Sequence, residues 1–204
     1  MDIKSLKVLS NIQKDHWEST LETFENRYED GLYKQLTEVA KAIIADTLGK
    51  QFVFLTGSPG SGKTHMLVGL FRAKVLADEG VMGTEHSLYM PFANMITEII
   101  EGLQETHSTR MGLAKYLPVR YLFIDDISRG ERVINPEKIE GQVFREVLLD
   151  RFENRKYVVC TSNYTPVELR RMIKAVFGAY VLSRVESSSL FAEFPNKDFR
   201  KEKK

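Results

Sequence analysis

Eight consecutive residues, Gly57-Ser58-Pro59-Gly60-Ser61-Gly62-Lys63-Thr64, have the composition of a phosphate cradle. They match G-x-x-x-x-G-K-[ST], a glycine-rich loop closed by a cation and a hydroxyl. Glycine lets the backbone curl so that successive N–H groups point inward at phosphate oxygens. A helix opening on the last of these residues adds the positive end of its dipole. In that arrangement Lys63 reaches the β- and γ-phosphates of ATP, and the Thr64 hydroxyl ligates Mg²⁺. The plain alternative is a glycine-rich turn with no ligand, and the strand and helix expected on either side argue against it.

Three further groups could share that chemistry. Tyr121-Leu122-Phe123-Ile124 is followed by Asp125 and Asp126. Four apolar residues and then an acid put a carboxylate at the carboxyl end of a buried strand, facing the loop. Asp125 is the expected Mg²⁺ ligand, directly or through water, because Mg²⁺ takes oxygen donors and keeps several waters. Asp126 is expected to polarise the attacking water. Asn163 ends the run Thr161-Ser162-Asn163, where its amide could orient water or form an Asx turn ahead of a helix; the spacing leaves both open. Arg184 lies in Val181-Leu182-Ser183-Arg184-Val185. An arginine can stabilise charge on a transferring phosphoryl group, even from a neighbouring subunit. Spacing alone favours the simpler reading, a surface ion-pair arginine.

These residues need elements to position them. Leu32, Leu36, Val39, Ile43 and Leu48 recur near helical spacing, with Gly49 as the expected stop. Gln51 to Thr56 reads as a buried strand ahead of the loop, and Lys63 to Ala77 as a helix behind it. His86 to Met90 is a second strand, and Met95, Ile96, Ile99, Ile100 and Leu103 mark the helix after it. Tyr121 to Asp125 is a third strand. Val143, Phe144, Val147, Leu148 and Phe152 mark another helix, and Tyr157 to Ser162 a fourth strand. Thr165-Pro166-Val167-Glu168 is a capping box with proline at the first helical position. Strand and helix alternate four times, which predicts an α/β fold: a parallel sheet sandwiched by helices. Ligands of such sheets bind beyond the carboxyl ends of the strands, where the motifs fall.

Composition sets the outer limits. A chain of 204 residues is one domain, or one with a short appendage. With 43% hydrophobic and 28% charged residues it is ordinary globular material. Lys plus Arg number 29 against 28 Asp plus Glu, a net charge of +1 that excludes a generally polycationic nucleic-acid coat. The single cysteine, Cys160, excludes an internal disulfide and thiolate-rich zinc sites. No apolar run approaches the roughly 18 residues of a membrane span, and the charged start lacks a signal-peptide core, so no membrane contact and a cytoplasmic location are expected. The basic tail Arg200 to Lys204 reads as a solvated end or a weak phosphate-binding tail.

Taken in order, GSPGSGKTH (57–65), LFIDDIS (122–128), VVCTSNYTPVEL (158–169) and LSRV (182–185) resemble the AAA+ ATPases. Within that group they are most similar to the DnaC-type helicase loaders and the IstB-type transposition ATPases. Thr23-Phe24-Glu25-Asn26 resembles the short segment that helps seat the adenine there, and the ending SSSLFAEFPNKDFRK resembles the group's truncated C-terminus. The resemblance covers nearly the whole chain after Thr23, so residues 23–204 are expected to form the ATPase domain and residues 1–22 a short extension. It implies a P-loop NTPase sheet with a vestigial or absent lid, and a nucleotide-binding set that includes Phe24 and His65 beside the loop. It assigns Asn163 to the sensor I position and Arg184 to a trans-acting arginine finger. It further implies weak ATP hydrolysis by a homo-oligomer assembled on single-stranded DNA, with a replicative helicase as partner. Residues 91–118 would then contact the strand, with Arg110, Lys115, Arg120 and Tyr116 as the local cations and aromatic. Asp126 replaces the glutamate usual in broader AAA+ proteins, which suits slow hydrolysis. Two other readings stay open: a transposition or phage accessory ATPase on duplex DNA, and a small-molecule kinase, for which residues 126–140 offer Arg129 and Arg132 but no evident lid helix.

Overall fold

The first strand, β1 (Phe52–Thr56), is buried at every position. Its side chains alternate between two cores: Phe52 and Phe54 face one, Val53 and Leu55 the other. Strands β3 (Tyr121–Asp125) and β4 (Tyr157–Ser162) do the same, with Leu122, Ile124, Val158 and Cys160 on the first side and Tyr121, Phe123 and Val159 on the second. A strand covered on both faces must be apolar throughout, which is why these runs are continuous rather than alternating. The computed structural model describes residues 11–24, 30–78, 86–107, 112–127 and 139–202.

The sheet has five parallel strands in the order β2-β3-β4-β1-β5, with β2 (Ser87–Pro91) and β5 (Ser189–Glu193) at its edges. Helices α1 (Asp30–Ile44) and α2 (Lys63–Ala77) cover one face through Leu36, Val39, Ile43, Leu67, Leu70 and Phe71. Helices α3 (Phe92–Thr106), α4 (Ile139–Glu153) and α5 (Pro166–Ser187) cover the other. The expected α/β sandwich is therefore present. Among the described residues no helix is long and apolar enough to cross a membrane.

Two local expectations are corrected. Helix α1 stops at Ile44, not at Gly49. Asp46 takes the left-handed conformation (φ 59), and the Thr47 N–H donates to Ala42 O at 2.9 Å, the six-to-one bond of a Schellman cap. Leu48 still reaches the core from the turn beyond, so its spacing imitated another helical position. The second correction is β5, which pairs with β1 from Phe52↔Ser189 to Thr56↔Glu193. An edge strand is less covered than a central one, so its short apolar run between polar ends gave little sign of it.

The capping box at Thr165 forms as expected: its hydroxyl accepts from the Glu168 N–H, and its own N–H donates to the Glu168 carboxylate at 2.8 Å. Helix α5 is bent by Gly178, whose backbone is not helical (φ 86, ψ 168). Residues 11–24 lie along α2. Ile12 and Phe24 join the core beneath it, and a Cβ added at Gly69 would come within 3.0 Å of the Leu21 nitrogen. Fully buried Arg151 donates to the carbonyls of Tyr116 and Val119, fixing the chain that enters β3. Burial pulls its pKa down to about 10.

Candidate nucleotide-binding site

Strand β1 ends at Thr56 and α2 begins at Lys63; between them the loop curls over the carboxyl edge of the sheet. Gly57 (φ 134) and Gly60 (φ 78) hold conformations that a side chain resists. Each also meets the end of the chain. A Cβ at Gly57 would lie 2.5 Å from Phe194 O, and one at Gly60 would collide with Asp198 Oδ1. Lys63 is 7% exposed, and its ammonium donates to Gly57 O (2.8 Å) and Ser58 O (2.7 Å). Burial lowers its pKa to about 8; Asp126 and Asp125 oppose the shift and Arg200 adds to it.

Asp125 is the hub of the site. Its Oδ1 accepts from the Thr64 hydroxyl (3.0 Å) and the Thr161 hydroxyl (2.6 Å), and its Oδ2 from the Tyr89 hydroxyl (3.2 Å). The Thr161 oxygen in turn accepts the Asp126 N–H at 2.7 Å, tying β4 to the end of β3. Asp126 turns aside in the left-handed conformation (φ 56), and the Asn163 amide donates to its Oδ1 at 3.4 Å. Lys63, Thr64, Asp125, Asp126 and Asn163 thus all border one cleft of ≈ 1010 Å³. Because Thr64 donates its only proton to Asp125, its oxygen lone pairs remain for a cation. An all-oxygen donor set of hydroxyl and carboxylate fits Mg²⁺.

The other wall comes from residues 11–24 and α2. The His65 Nε2 lies 3.1 Å from the Thr23 hydroxyl and 3.0 Å from Thr20 O. The Phe24 ring meets the imidazole edge-on at 5.5 Å. Both residues border the cleft, as do Asn11, Gln13 and Ser19. Glu25 and Asn26 fall outside the described residues.

Residues 194–202 form a strap across the loop; of the basic tail Arg200 to Lys204, expected to be a solvated or weakly phosphate-binding end, Arg200 and Lys201 belong to it. The Phe194 N–H donates to Thr56 O (2.7 Å), the Ser58 hydroxyl to Pro195 O (3.1 Å), and the Phe199 N–H to Gly60 O (3.1 Å). Arg200 borders the cleft and donates to both oxygens of Asp198. Thr161, Tyr89 and Asp198 were not singled out for this site from sequence, and Arg200 only as part of a basic tail that could bind phosphate weakly. Thr161 follows Cys160, the partner of Ile124 in the ladder, just as Asp125 follows Ile124, so the register of the sheet and not a local pattern brings the two together.

Arg184 lies elsewhere. It occupies the last turn of α5, just before β5 begins, with its guanidinium 3.2 Å from the Tyr180 ring centroid. In a parallel sheet that is the amino edge, about 16 Å (one five-residue strand) from the carboxyl edge that carries the loop. One member of the expected strand-contacting group, Tyr116, is corrected. Tyr116 is 1% exposed and donates to Glu98 at 2.6 Å, so its face is not available for stacking. Lys115 pairs with the same carboxylate at 2.6 Å. Arg120 precedes β3 at the amino edge and pairs with Asp46 at 2.6 Å. Arg110, Arg129 and Arg132 fall outside the described residues.

A five-stranded parallel sheet of this order, with a phosphate loop after its β1 and an acid after the adjacent-but-one strand, defines an ATP-binding P-loop domain of the AAA+ class. The sequence profile described as IstB-like ATP binding protein matches residues 2–204, and the chain belongs to that family. It is 29% identical over 167 residues to the ATP-binding protein of insertion sequence IS21 from Pseudomonas aeruginosa, spanning 82% of this chain and 57% of that protein. Its fold matches the DnaC helicase loader with a TM-score of 0.66 at 18% identity, covering 89% of this chain and 99% of that one. It also matches the replication initiator DnaA bound to AMPPCP and single-stranded DNA, with a TM-score of 0.65 at 19% identity, over 91% of this chain and 54% of that one. The chain thus spans little more than half the length of its curated IS21 relative.

Proposed function

We propose that this protein is a weak, assembly-dependent ATPase whose ATP-bound oligomer grips single-stranded DNA and delivers a replicative helicase to it. One observation carries the assembly: Arg184 stands at the amino edge of the sheet, opposite the loop of its own chain. An arginine there can serve a phosphoryl group only in a neighbouring copy. ATP then favours the assembled state by binding it more tightly.

The chemistry follows from the site. The loop amides and Lys63 hold the phosphates, and Arg200 adds a second cation from the strap. Thr64 and Asp125 hold Mg²⁺, which when bound neutralises charge on the phosphate oxygens. Asp126 accepts a proton from the attacking water, and Asn163, already its hydrogen-bond partner, orients that water. Phe24 and His65 border the base.

The client rests on the fold's agreement with a helicase loader over nearly all of that chain. A second reading has its own support in the IS21 relative: delivery of a recombinase on duplex DNA. The matched family gives the small-molecule kinase no support. Light scattering with an ATP analogue, with and without single-stranded or duplex DNA, tests the assignment. Growth with analogue plus single strands is expected; growth only on duplex favours the second reading, and a monomer throughout overturns both.

A further inference from the structure

We infer that Tyr89 is a positioning residue for the carboxylate that would hold the metal: its hydroxyl fixes Asp125 Oδ2 and so keeps Oδ1 turned to Thr64. This deepens the proposed role of Asp125 and rests on it. Tyr89 sits in β2 opposite Phe123 of β3. Side chains two apart share a strand face, so the ring runs along the α2 side of the sheet toward Asp125, two residues beyond Phe123. It is 1% exposed, and the Phe71 ring of α2 packs against it at 5.7 Å. The hydroxyl donates to Oδ2 at 3.2 Å while both threonine hydroxyls donate to Oδ1.

The division of labour between the two oxygens gives the tyrosine its purpose. Oδ1 sits where Thr64 meets the site. Without a donor on Oδ2, the carboxylate can rotate about its last bond and exchange its oxygens, since that torsion is broad. A tyrosine wedged between the sheet and α2 blocks the rotation and supplies a directional bond from a dry position. Donors behind a metal-holding group typically matter about 10- to 100-fold in metal affinity.

The test measures binding, not turnover. A non-hydrolysable ATP analogue is titrated into the wild type, Tyr89→Phe and Asp125→Ala, once with Mg²⁺ and once with EDTA. The ratio of the two affinities is the metal-dependent gain. Tyr89→Phe is expected to lower that gain by about 10-fold while leaving the EDTA affinity as in the wild type, which also shows that the variant folds. The inference is overturned if the gain stays at the wild-type value while Asp125→Ala abolishes it. It is equally overturned if both affinities of Tyr89→Phe fall together, the mark of a packing role alone. If Asp125→Ala keeps the full gain, the metal role of Asp125 fails first and the inference with it.

Discussion

The Lys63 ammonium is held by two backbone carbonyls in a pocket that strips it of water. Its pKa falls from 10.5 to about 8 because burial disfavours the charged form more than Asp126 and Asp125 restore it. Between those two values the unfolded chain binds a proton that the folded chain has shed. Stability therefore gains from this group as pH rises through that window, and the buried charge costs most below it. Nucleotide phosphates bound as proposed would reverse the sign by placing negative charge beside the ammonium and raising its pKa. Binding near pH 9 should then take up close to one proton, and near pH 7 almost none. Calorimetry in buffers of different ionisation enthalpy reads that number directly. Lys63→Met should remove the uptake; uptake that persists in this variant assigns the proton to another group.

The strap and the phosphate loop act as one element. Gly60 combines a left-handed backbone (φ 78) with a Cα position that Asp198 closes off. Gly60→Ala should cost about 1–3 kcal/mol from the backbone conformation, plus whatever the strap needs to move away. Urea unfolding of Gly60→Ala, Asp198→Ala and the double variant separates the two costs, because Asp198→Ala alone measures the lost pairing with Arg200 and the cycle isolates the collision. If the two single costs simply add in the double variant, the strap does not close on the loop in solution. At this scale the sequence was read unevenly, for physical reasons. The loop, α2, β3, β4 and the Thr165 cap were legible because each carries a local pattern: glycines with a lysine, a continuous apolar run, a capping box. Edge strand β5 and the strap were not, since both gain their structure from β1 and the loop, far away in sequence. Tyr89 and Thr161 meet Asp125 only through strand register. Tyr116 was misjudged because closeness in sequence to cations says nothing about whether a ring is exposed or buried against the fold.

In the whole molecule a parallel sheet separates two edges, with the glycine-rich loop at the carboxyl edge and Arg184 at the other. A copy whose amino edge meets the next copy's loop makes a head-to-tail contact, and such contacts generate rings or open spirals rather than closed pairs. The aromatic rings of Tyr180 and Phe152 flank the Arg184 guanidinium, at 3.2 and 5.7 Å from their centroids. Two defects in different copies should then complement each other. Arg184→Ala keeps its own loop but offers no arginine to a neighbour, and by the scale of trans-acting arginines should lose about 10³-fold in turnover while binding nucleotide normally. Lys63→Ala loses its own phosphate grip but still carries Arg184. Mixed under assembling conditions, the two should recover hydrolysis that neither shows alone, because some sites pair an intact loop with an intact arginine. A mixture no more active than the sum of its parts would mean that Arg184 serves no neighbouring site, and the sheet's two edges would need another explanation.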